Sequence, residues 1–215
     1  MAVGRCFVWT EGHAAMWGGT RRQLEGGERR SGFDNTPTAQ EMELCRYAAV
    51  AWGPPEGDVL KVITRPYESG DASATAEIFL GAITEVASRD YTPSQIAAWA
   101  RVEDLTAWGS VRESRPTWIA EIHGQVVGFA DLTGDGLLDM MFVHPQCQGV
   151  GVASSLLHKV EAQARAWGMS CLSTEASRTA RPFFERRGFR VVQAQQVQKR
   201  GETLENFLME KSLAL

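Results

Sequence analysis

A short glycine-containing turn, Gln148 to Ala153, has the residue types and spacing of an anion-binding site. Gly149 and Gly151 have no Cβ, so a phosphate group can approach the main chain closely. A helix is predicted directly after the turn, and the first turn of a helix leaves N–H groups unpaired at the positive end of its dipole. The side chains of Ala153 and Ser154 are small, so they leave these N–H groups accessible. The chemistry expected here is therefore phosphate binding.

The same turn excludes two common nucleotide-binding motifs. It lacks the Lys that follows the glycines of a nucleoside-triphosphate loop. Its glycines also do not have the spacing of a dinucleotide-binding fingerprint. The phosphate expected at this turn therefore belongs to another class of ligand.

A buried strand and an amphipathic helix must position this turn. The segment 137–143 is apolar, too short for an independent helix, and bounded by Gly136 and Pro145, which predicts a buried strand. After the turn, apolar residues recur at helical spacing, and Gly168 ends the pattern. The predicted helix stripe consists of Ala153, Leu156, Leu157, Val160, Ala164 and Trp167.

This order of strand, turn and helix resembles the cofactor site of the GNAT superfamily of acyl-CoA N-acetyltransferases. The segment from Gln148 to Ala153 is similar to the superfamily signature Q/R-x-x-G-x-G/A, and Phe142-Val143-His144-Pro145 is similar to the strand end that precedes it. Residues 174–189 resemble the later strand-to-helix segment, which usually closes with an aromatic pair and Gly-Phe. The resemblance covers the chain from Lys61 to Leu213.

The resemblance implies an α/β fold with a mixed, largely antiparallel, twisted sheet and helices on both faces. The residue pattern agrees, with a first strand over 59–67, hairpins over 117–132 and 189–211, and helices after Asp71 or Ser73 and from Thr92. The predicted domain spans residues 58–215. Residues 1–57, with a short helix over 41–52, are expected to form an N-terminal extension that is in part disordered or docked, because glycine and arginine pairs interrupt any hydrophobic period.

The family resemblance implies acetyl-CoA as the acetyl donor and suggests its contacts. The turn would bind the pyrophosphate, and main-chain groups of Met141 and Val143 would bond the pantetheine as an added strand. The Val143 N–H would bond either the pantetheine or the oxyanion that forms on the thioester carbonyl. The expected cofactor-binding residues are Met141, Phe142, Val143, Gln148, Gly149, Val150, Gly151, Val152, Ala153, Ser154, Ser177 and Phe184.

Three carboxylates are candidates for the proton acceptor. An aliphatic amine is mostly protonated at neutral pH and must lose a proton before it can attack. Asp139 lies four residues before Val143, where relatives often place a carboxylate, and is the first candidate for base or substrate anchor. Glu121 and Glu175 are the alternatives. A simple ion pair with an arginine is the competing interpretation of Asp139.

The chain departs from the family pattern at two positions near the leaving thiol. Phe184 is the second residue of the aromatic pair, where much of the family has a Tyr that protonates the thiolate. Ser177 replaces the usual Asn seven residues earlier but retains a hydroxyl that can bond the pantetheine. Water, Ser177 or a substrate proton would then have to protonate the thiolate. Phe183 is interpreted as a core residue of the short helix.

Composition excludes several classes of function. The chain has 215 residues and a net charge of -4, so it lacks the basic character of a nucleic-acid-binding protein. Its sequence has no apolar run of membrane-spanning length and no signal-peptide pattern, so neither membrane insertion nor export is expected. The four cysteines form neither a disulfide framework nor a metal-ligand cluster, which favours a cytoplasmic protein without a metal.

The acceptor is expected to be a primary amine of a small molecule, acetylated by direct transfer in a ternary complex. Tyr91 and Trp118 fall on the predicted acceptor side, where aromatic and acidic residues together suit a cation with an apolar body. A protein or peptide amine is an alternative acceptor. Two other functions stay open, namely an acyl-CoA-binding sensor without turnover and a partner-binding module that uses the N-terminal segment. A homodimer is among the expected partners.

Overall fold

The computed structural model describes residues 61–213, which contain seven β-strands and five α-helices. The elements in chain order are β1 (Ile63–Pro66), α1 (Ala72–Gly81), α2 (Pro93–Trp99), α3 (Leu105–Glu113), β2 (Thr117–Ile122), β3 (Gln125–Leu132), β4 (Leu137–Val143), α4 (Val152–Ala166), β5 (Cys171–Ser177), α5 (Arg181–Arg186), β6 (Arg190–Lys199) and β7 (Glu202–Ser212). A π-helical segment, Ala82–Val86, continues α1, and short 3₁₀ turns lie at Ser69–Asp71, Ala87–Arg89 and Pro145–Cys147.

The strands form one sheet in the order β1-β2-β3-β4-β5-β7-β6. Neighbouring strands pair antiparallel, except that β4 and β5 are parallel. Two hairpins, β2-β3 and β6-β7, lie where the alternating pattern predicted them. The mixed, largely antiparallel sheet predicted from the sequence is confirmed.

Helices cover both faces of the sheet, as predicted. Phe129 on β3 packs against Trp108 of α3 and belongs to the same apolar cluster as Phe79 of α1. Its neighbour on the strand, Gly128, faces Val152 of α4. Because adjacent residues of a strand point to opposite faces, α1 and α3 lie on one face and α4 lies on the other.

The helix after the glycine turn buries most of its predicted stripe. Four of the six predicted residues are buried, namely Leu156, Leu157, Val160 and Ala164, and Ala153 is half-buried. Val152, outside the predicted stripe, is also buried. Trp167, which the sequence placed in the stripe, follows the end of α4 and is 41 % exposed. The prediction for Trp167 is wrong because the chain leaves the helix before this residue can face the sheet.

Two other element predictions differ from the structure. The first strand is shorter than predicted and begins at Ile63 among the described residues. The helix α3 was not predicted, although Asp104 caps it by accepting hydrogen bonds from the N–H groups of Thr106 and Ala107 at 2.8 and 3.0 Å. The proposed N-terminal extension of residues 1–57 lies outside the described residues.

Residues 61–213 contain neither a membrane-spanning helix nor a cluster of metal ligands. Over this range, no helix combines the length and the apolar character needed to cross a membrane. Nor does this part of the chain bring three His, Cys, Asp or Glu side chains together where they could hold a metal ion.

The close approach of α4 to the sheet depends on Gly128. A Cβ at this position would lie 2.8 Å from Val152 Cγ1 and 3.0 Å from the Phe142 carbonyl oxygen. Real side chains do not tolerate such contacts, so α4 or β4 would have to shift.

We expect Gly128→Val to destabilise the protein by about 1–3 kcal/mol, because the extra methyl groups overpack the contact between β3 and α4. The midpoint of urea unfolding measures this change in stability. Gly134→Ala is the control, since a Cβ at Gly134 would meet nothing within 4 Å. Equal midpoints for the two variants would contradict the prediction.

Candidate functional site

The site begins where β4 and β5 separate. The two strands pair only at Leu137 with Ser173 and at Leu138 with Thr174 within the described chain. At the last pair, Thr174 Oγ1 donates a hydrogen bond to the Leu138 carbonyl at 2.9 Å. Residues 139–143 of β4 and 175–177 of β5 then diverge, and the space between them is called the opening.

The main chain of β4 presents hydrogen-bonding groups to this opening. The His144 N–H donates to the Val127 carbonyl of β3 at 2.8 Å. Because antiparallel strands alternate between inward and outward main-chain groups, those of Met141 and Val143 point away from β3 and toward the opening. Gln148 Nε2 donates to the Val143 carbonyl at 3.0 Å. An extended ligand could therefore pair with β4 as an added strand.

The turn after β4 has a conformation that favours glycine at two positions. Gly149 and Gly151 have φ angles of 80° and 95°, in the left-handed region. A Cβ at either residue would meet nothing within 4 Å, so the space beside the turn is open. Ser155 N–H bonds to the Gly151 carbonyl at 3.0 Å, which leaves the N–H groups of residues 152–154 without partners inside the helix.

Three arginines surround this turn. Arg89, Arg186 and Arg187 line one cavity with the glycines, and this space is called the turn cavity. Arg187 Nη2 also donates a hydrogen bond to Ser154 Oγ in the first turn of α4. Guanidinium groups and free helix N–H groups together suit a diphosphate. No role was predicted for these arginines, because they lie far from the turn in the sequence.

A second cavity, here called the channel, lies between the turn and the opening. It is mainly apolar, and its lining includes Met141, Phe142, Val143, Ala153, Ser177 and Phe183. The channel shares Val143, Gln148, Ala153 and Phe183 with the turn cavity. A ligand that binds at the turn therefore has a continuous apolar path to β4.

The two phenylalanines of α5 are placed opposite to the prediction, which put Phe183 in the core and Phe184 at the cofactor. Phe184 is 3 % exposed, and its ring lies 5.1 Å from that of Phe189 in the core. Phe183 is half-buried and lines both the channel and the turn cavity. The interpretation of Phe183 as a core residue is wrong. Phe184, predicted to contact the cofactor, lines neither cavity.

Two predicted residues on β2 lie away from the opening. Arg65 Nε donates to Glu121 Oε1 at 2.8 Å, so Glu121 pairs with the edge strand β1. Trp118 lies between Pro66 of β1 and Ala130 of β3. Because β3 separates β2 from β4, the structure does not bring Glu121 or Trp118 to the site.

Asp139 lies at the opening but is already paired. Arg115 Nη1 lies 2.8 Å from Asp139 Oδ2, so the ion pair considered as the competing interpretation is present. The Asp139 side chain is 38 % exposed and lines a third cavity, called the acceptor cavity, beside the opening. Its charge is therefore compensated before any ligand binds.

Glu175 and Tyr91 also line the acceptor cavity. Glu175 Oε2 lies 3.4 Å from Asn206 Nδ2, and no Lys, Arg or His of residues 61–213 forms an ion pair with Glu175. The Tyr91 hydroxyl donates to the Glu205 carbonyl at 2.6 Å and accepts from the Arg178 N–H at 3.0 Å. Tyr91 therefore shapes the cavity wall, whereas Glu175 keeps an uncompensated charge there.

Comparison with known proteins identifies the family. The model of the acetyltransferase (GNAT) domain matches residues 87–213. The chain is also 39 % identical over 145 residues to the uncharacterized N-acetyltransferase YafP of Escherichia coli (strain K12), covering 67 % of this chain and 92 % of that protein. The chain belongs to the GNAT acetyltransferase family.

Solved GNAT structures share the fold. A GCN5-related N-acetyltransferase from Rhodopseudomonas palustris superposes with a TM-score of 0.70 at 37 % identity, over 73 % of this chain and 99 % of that one. The yncA protein of Salmonella typhimurium, solved with its cofactor acetyl-CoA, has a TM-score of 0.56 at 22 % identity, over 72 % of this chain and 95 % of that one. The first likeness extends to the sequence, and the second concerns the GNAT fold alone.

A buried carboxylate, Asp131, shares the partner Arg115 with Asp139. Asp131 is fully buried, with Arg115 Nη1 at 3.6 Å from Oδ1 and Arg112 Nε at 3.9 Å from Oδ2. Burial raises the pKa of Asp131 to about 6, although Arg115 and Arg112 lower it and Asp139 raises it further. Arg115 thus connects Asp131 to Asp139.

We expect the free energy of unfolding to contain a component that falls as pH rises from about 4 to about 6. In this window the native state holds a proton on Asp131 that the unfolded chain has released, so the component favours folding at lower pH. Its full size is about 3 kcal/mol. Urea unfolding of wild type and Asp131→Asn across this range measures it, and Asp135→Asn in an exposed turn is the control. Parallel curves for wild type and Asp131→Asn would contradict the prediction.

Proposed function

We propose that this domain acetylates a primary amine of a small molecule by direct transfer from acetyl-CoA in a ternary complex. The observation that carries the proposal is the continuity of three cavities. The turn cavity meets the channel, and the channel shares Trp99, Phe142 and Ser177 with the acceptor cavity. Donor and acceptor would therefore meet beside the opening.

The residues of the turn fit the donor. Free N–H groups of residues 152–154 and the three arginines would hold the diphosphate, while the channel would hold the pantetheine. Main-chain groups of Met141 and Val143 would bond its amides. Acetyl-CoA supplies the acetyl group in activated form, as a thioester. A main-chain N–H of β4 that faces the thioester oxygen would stabilise the negative charge that develops there.

We propose that Glu175 accepts the proton of the amine. The amine must be neutral when its nitrogen bonds to the acetyl carbon and the carbon–sulfur bond breaks. Asp139 is held by Arg115 at 2.8 Å, whereas Glu175 contacts only the amide of Asn206 among the described hydrogen bonds. A carboxylate without a cationic partner is the better proton acceptor. Asp139 is then expected to position Arg115 and shape the cavity.

Direct transfer is supported by the lack of a suitable nucleophile among the described residues at the opening. Cys147 lies at the turn and is 3 % exposed, and burial raises the pKa of its thiol. The thiolate, not the thiol, attacks carbonyl carbon, so a thiol with a raised pKa is a poor nucleophile. Ser177 Oγ accepts a hydrogen bond from the Ala180 N–H at 3.1 Å, and no histidine lines the channel or the acceptor cavity.

The size of the acceptor cavity favours a small molecule. Its volume is about 360 Å³, within the range typical of sites for small ligands. Aromatic side chains from α1, α2 and α3 form its wall. A protein acceptor could insert only a terminal residue or a single side chain into such a space.

Thermal unfolding and thiol release test the proposal. Acetyl-CoA at 100 times its dissociation constant should add about 2.7 kcal/mol of stability, and adding an accepted amine should release free thiol. A thermal shift without thiol release from a broad amine panel would instead favour an acyl-CoA sensor. No thermal shift would contradict acetyl-CoA binding, and a protein that gains one acetyl mass without amine would contradict direct transfer.

A further inference from the structure

One end of the acceptor cavity is basic. Arg101 follows α2, while Lys199 and Arg200 lie at the turn between β6 and β7, and all three line the cavity. Arg200 Nη1 donates to the Ala98 carbonyl at 2.9 Å, which ties this turn to α2. These three residues are called the basic end.

Two cations of the basic end have no acidic partner in the described chain. Arg200 pairs with Glu103 at 2.7 Å. Arg101 Nε donates to the Ala97 carbonyl at 3.2 Å. Neither Arg101 nor Lys199 forms an ion pair within residues 61–213. The exposed guanidinium and ammonium groups of Arg101 and Lys199 are therefore free to bind an anion.

The opposite end of the cavity carries one uncompensated acid. Asp139 pairs with Arg115, and Glu205 pairs with Arg178, each at 2.8 Å. Glu175 is the remaining carboxylate of the cavity lining, and it forms no ion pair in the described part of the chain. The cavity thus has free negative charge at the opening and free positive charge at the basic end. The cavity lining also contains six large apolar side chains, namely Phe79, Trp99, Trp108, Phe142, Val197 and Leu204.

The register of the sheet gives the separation of the two ends. Glu175 on β5 faces Leu208 of β7, and Lys199 on β6 faces Glu202 of the same strand. Positions 208 and 202 differ by six residues, which corresponds to about 20 Å along β7. Long side chains shorten this gap, but an acceptor that reaches both ends must be elongated.

We infer that the acceptor is an elongated molecule with its amine at Glu175 and an anionic group, such as a carboxylate, at Arg101 and Lys199. This inference rests on the proposed acetyl transfer and names its substrate class. The apolar side chains of the lining contact a hydrocarbon or aromatic body that joins the two charged groups. A short α-amino acid cannot span the two ends.

A matched substrate series tests the inference. Straight-chain ω-amino acids of increasing length are compared with amino alcohols of the same length, and thiol release gives kcat/KM for each. Long amino acids are expected to exceed their alcohols by about 10- to 100-fold, the usual effect of a charged hydrogen bond. Short members of both series should show no such preference.

Two variants locate the effect. Arg101→Gln combined with Lys199→Gln should remove the preference by raising KM for the long acids, with the amino alcohols unchanged. Lys159→Gln, an exposed change on α4 that lies outside the cavity lining, should keep the preference. Thermal midpoints confirm that each variant is folded.

The outcomes separate the inference from the proposed function. Equal kcat/KM for acids and alcohols at every length in the wild type would overturn this inference while acetyl transfer stands. A preference that survives the double substitution would also overturn it. No thiol release from any amine would contradict the proposed function itself.

Discussion

The Gly151→Asp variant is expected to lose acetyl-CoA affinity by about three orders of magnitude. Its carboxylate would stand at the N-terminus of α4, where the pyrophosphate is proposed to bind. Two like charges about 4 Å apart repel by about 4 kcal/mol at the effective dielectric constant of a protein surface. Calorimetric titration with acetyl-CoA measures the loss, and thiol release should fall with it.

The fold should survive this substitution. Gly151 is the N-cap of α4, a position that favours Asp and Asn, and these residues adopt the left-handed conformation more readily than most. Gly151→Asn is therefore the matched control, since it has the same shape without the charge. Its affinity should stay within about tenfold of wild type, because the Asn side chain carries no charge that repels the diphosphate. Equal affinities for the Asp and Asn variants would place the diphosphate elsewhere.

Glu175→Gln is expected to lower kcat by about 10²- to 10⁴-fold, the usual contribution of a general base. Affinity for acetyl-CoA should not change, because Glu175 lines the acceptor cavity and not the turn cavity. The deficit should shrink as pH rises toward about 10, where a free amine loses its proton without help. Initial rates across this pH range provide the measurement.

Asp139→Asn is the matched comparison for Glu175→Gln. Its effect on kcat should be smaller, because Arg115 already compensates the Asp139 charge at 2.8 Å. A large loss in Asp139→Asn together with normal turnover in Glu175→Gln would reverse the two assignments. Such a result would mean that Asp139 separates from Arg115 when the amine binds and then accepts its proton.

Local patterns predicted much of the fold. The segment 137–168 was predictable because its strand, glycine turn and helix each leave a signal within a few neighbouring residues. The start of α2 was predictable for the same reason: Thr92 caps this helix, and a proline follows at its first position. The hairpins were predictable from alternation and turn residues.

Other features depend on contacts that one stretch of sequence does not reveal. The sequence does not indicate that Asp139 meets Arg115 or that Glu121 meets Arg65, because strand pairing brings these residues together. Phe183 and Phe184 are adjacent, and a helix turns by about 100° per residue. A small error in the predicted orientation of the helix therefore exchanges the residue assigned to the core with the residue assigned to the cavity. The helix α3 was missed because Gly109 lies inside it and weakens its signal.

The sparse pairing between β4 and β5 has a consequence for the stability of the molecule. Within residues 61–213, β4 and β5 are the strands that join the β1–β4 part of the sheet to the β5–β7 part, and they pair at two positions. Local openings are easiest where few hydrogen bonds must break, so amide hydrogen exchange should be faster where β4 meets β5 than within the β2-β3 and β6-β7 hairpins. A donor bound between the strands would slow that exchange. The protein would then resist proteolysis better as the concentration of acetyl-CoA rises.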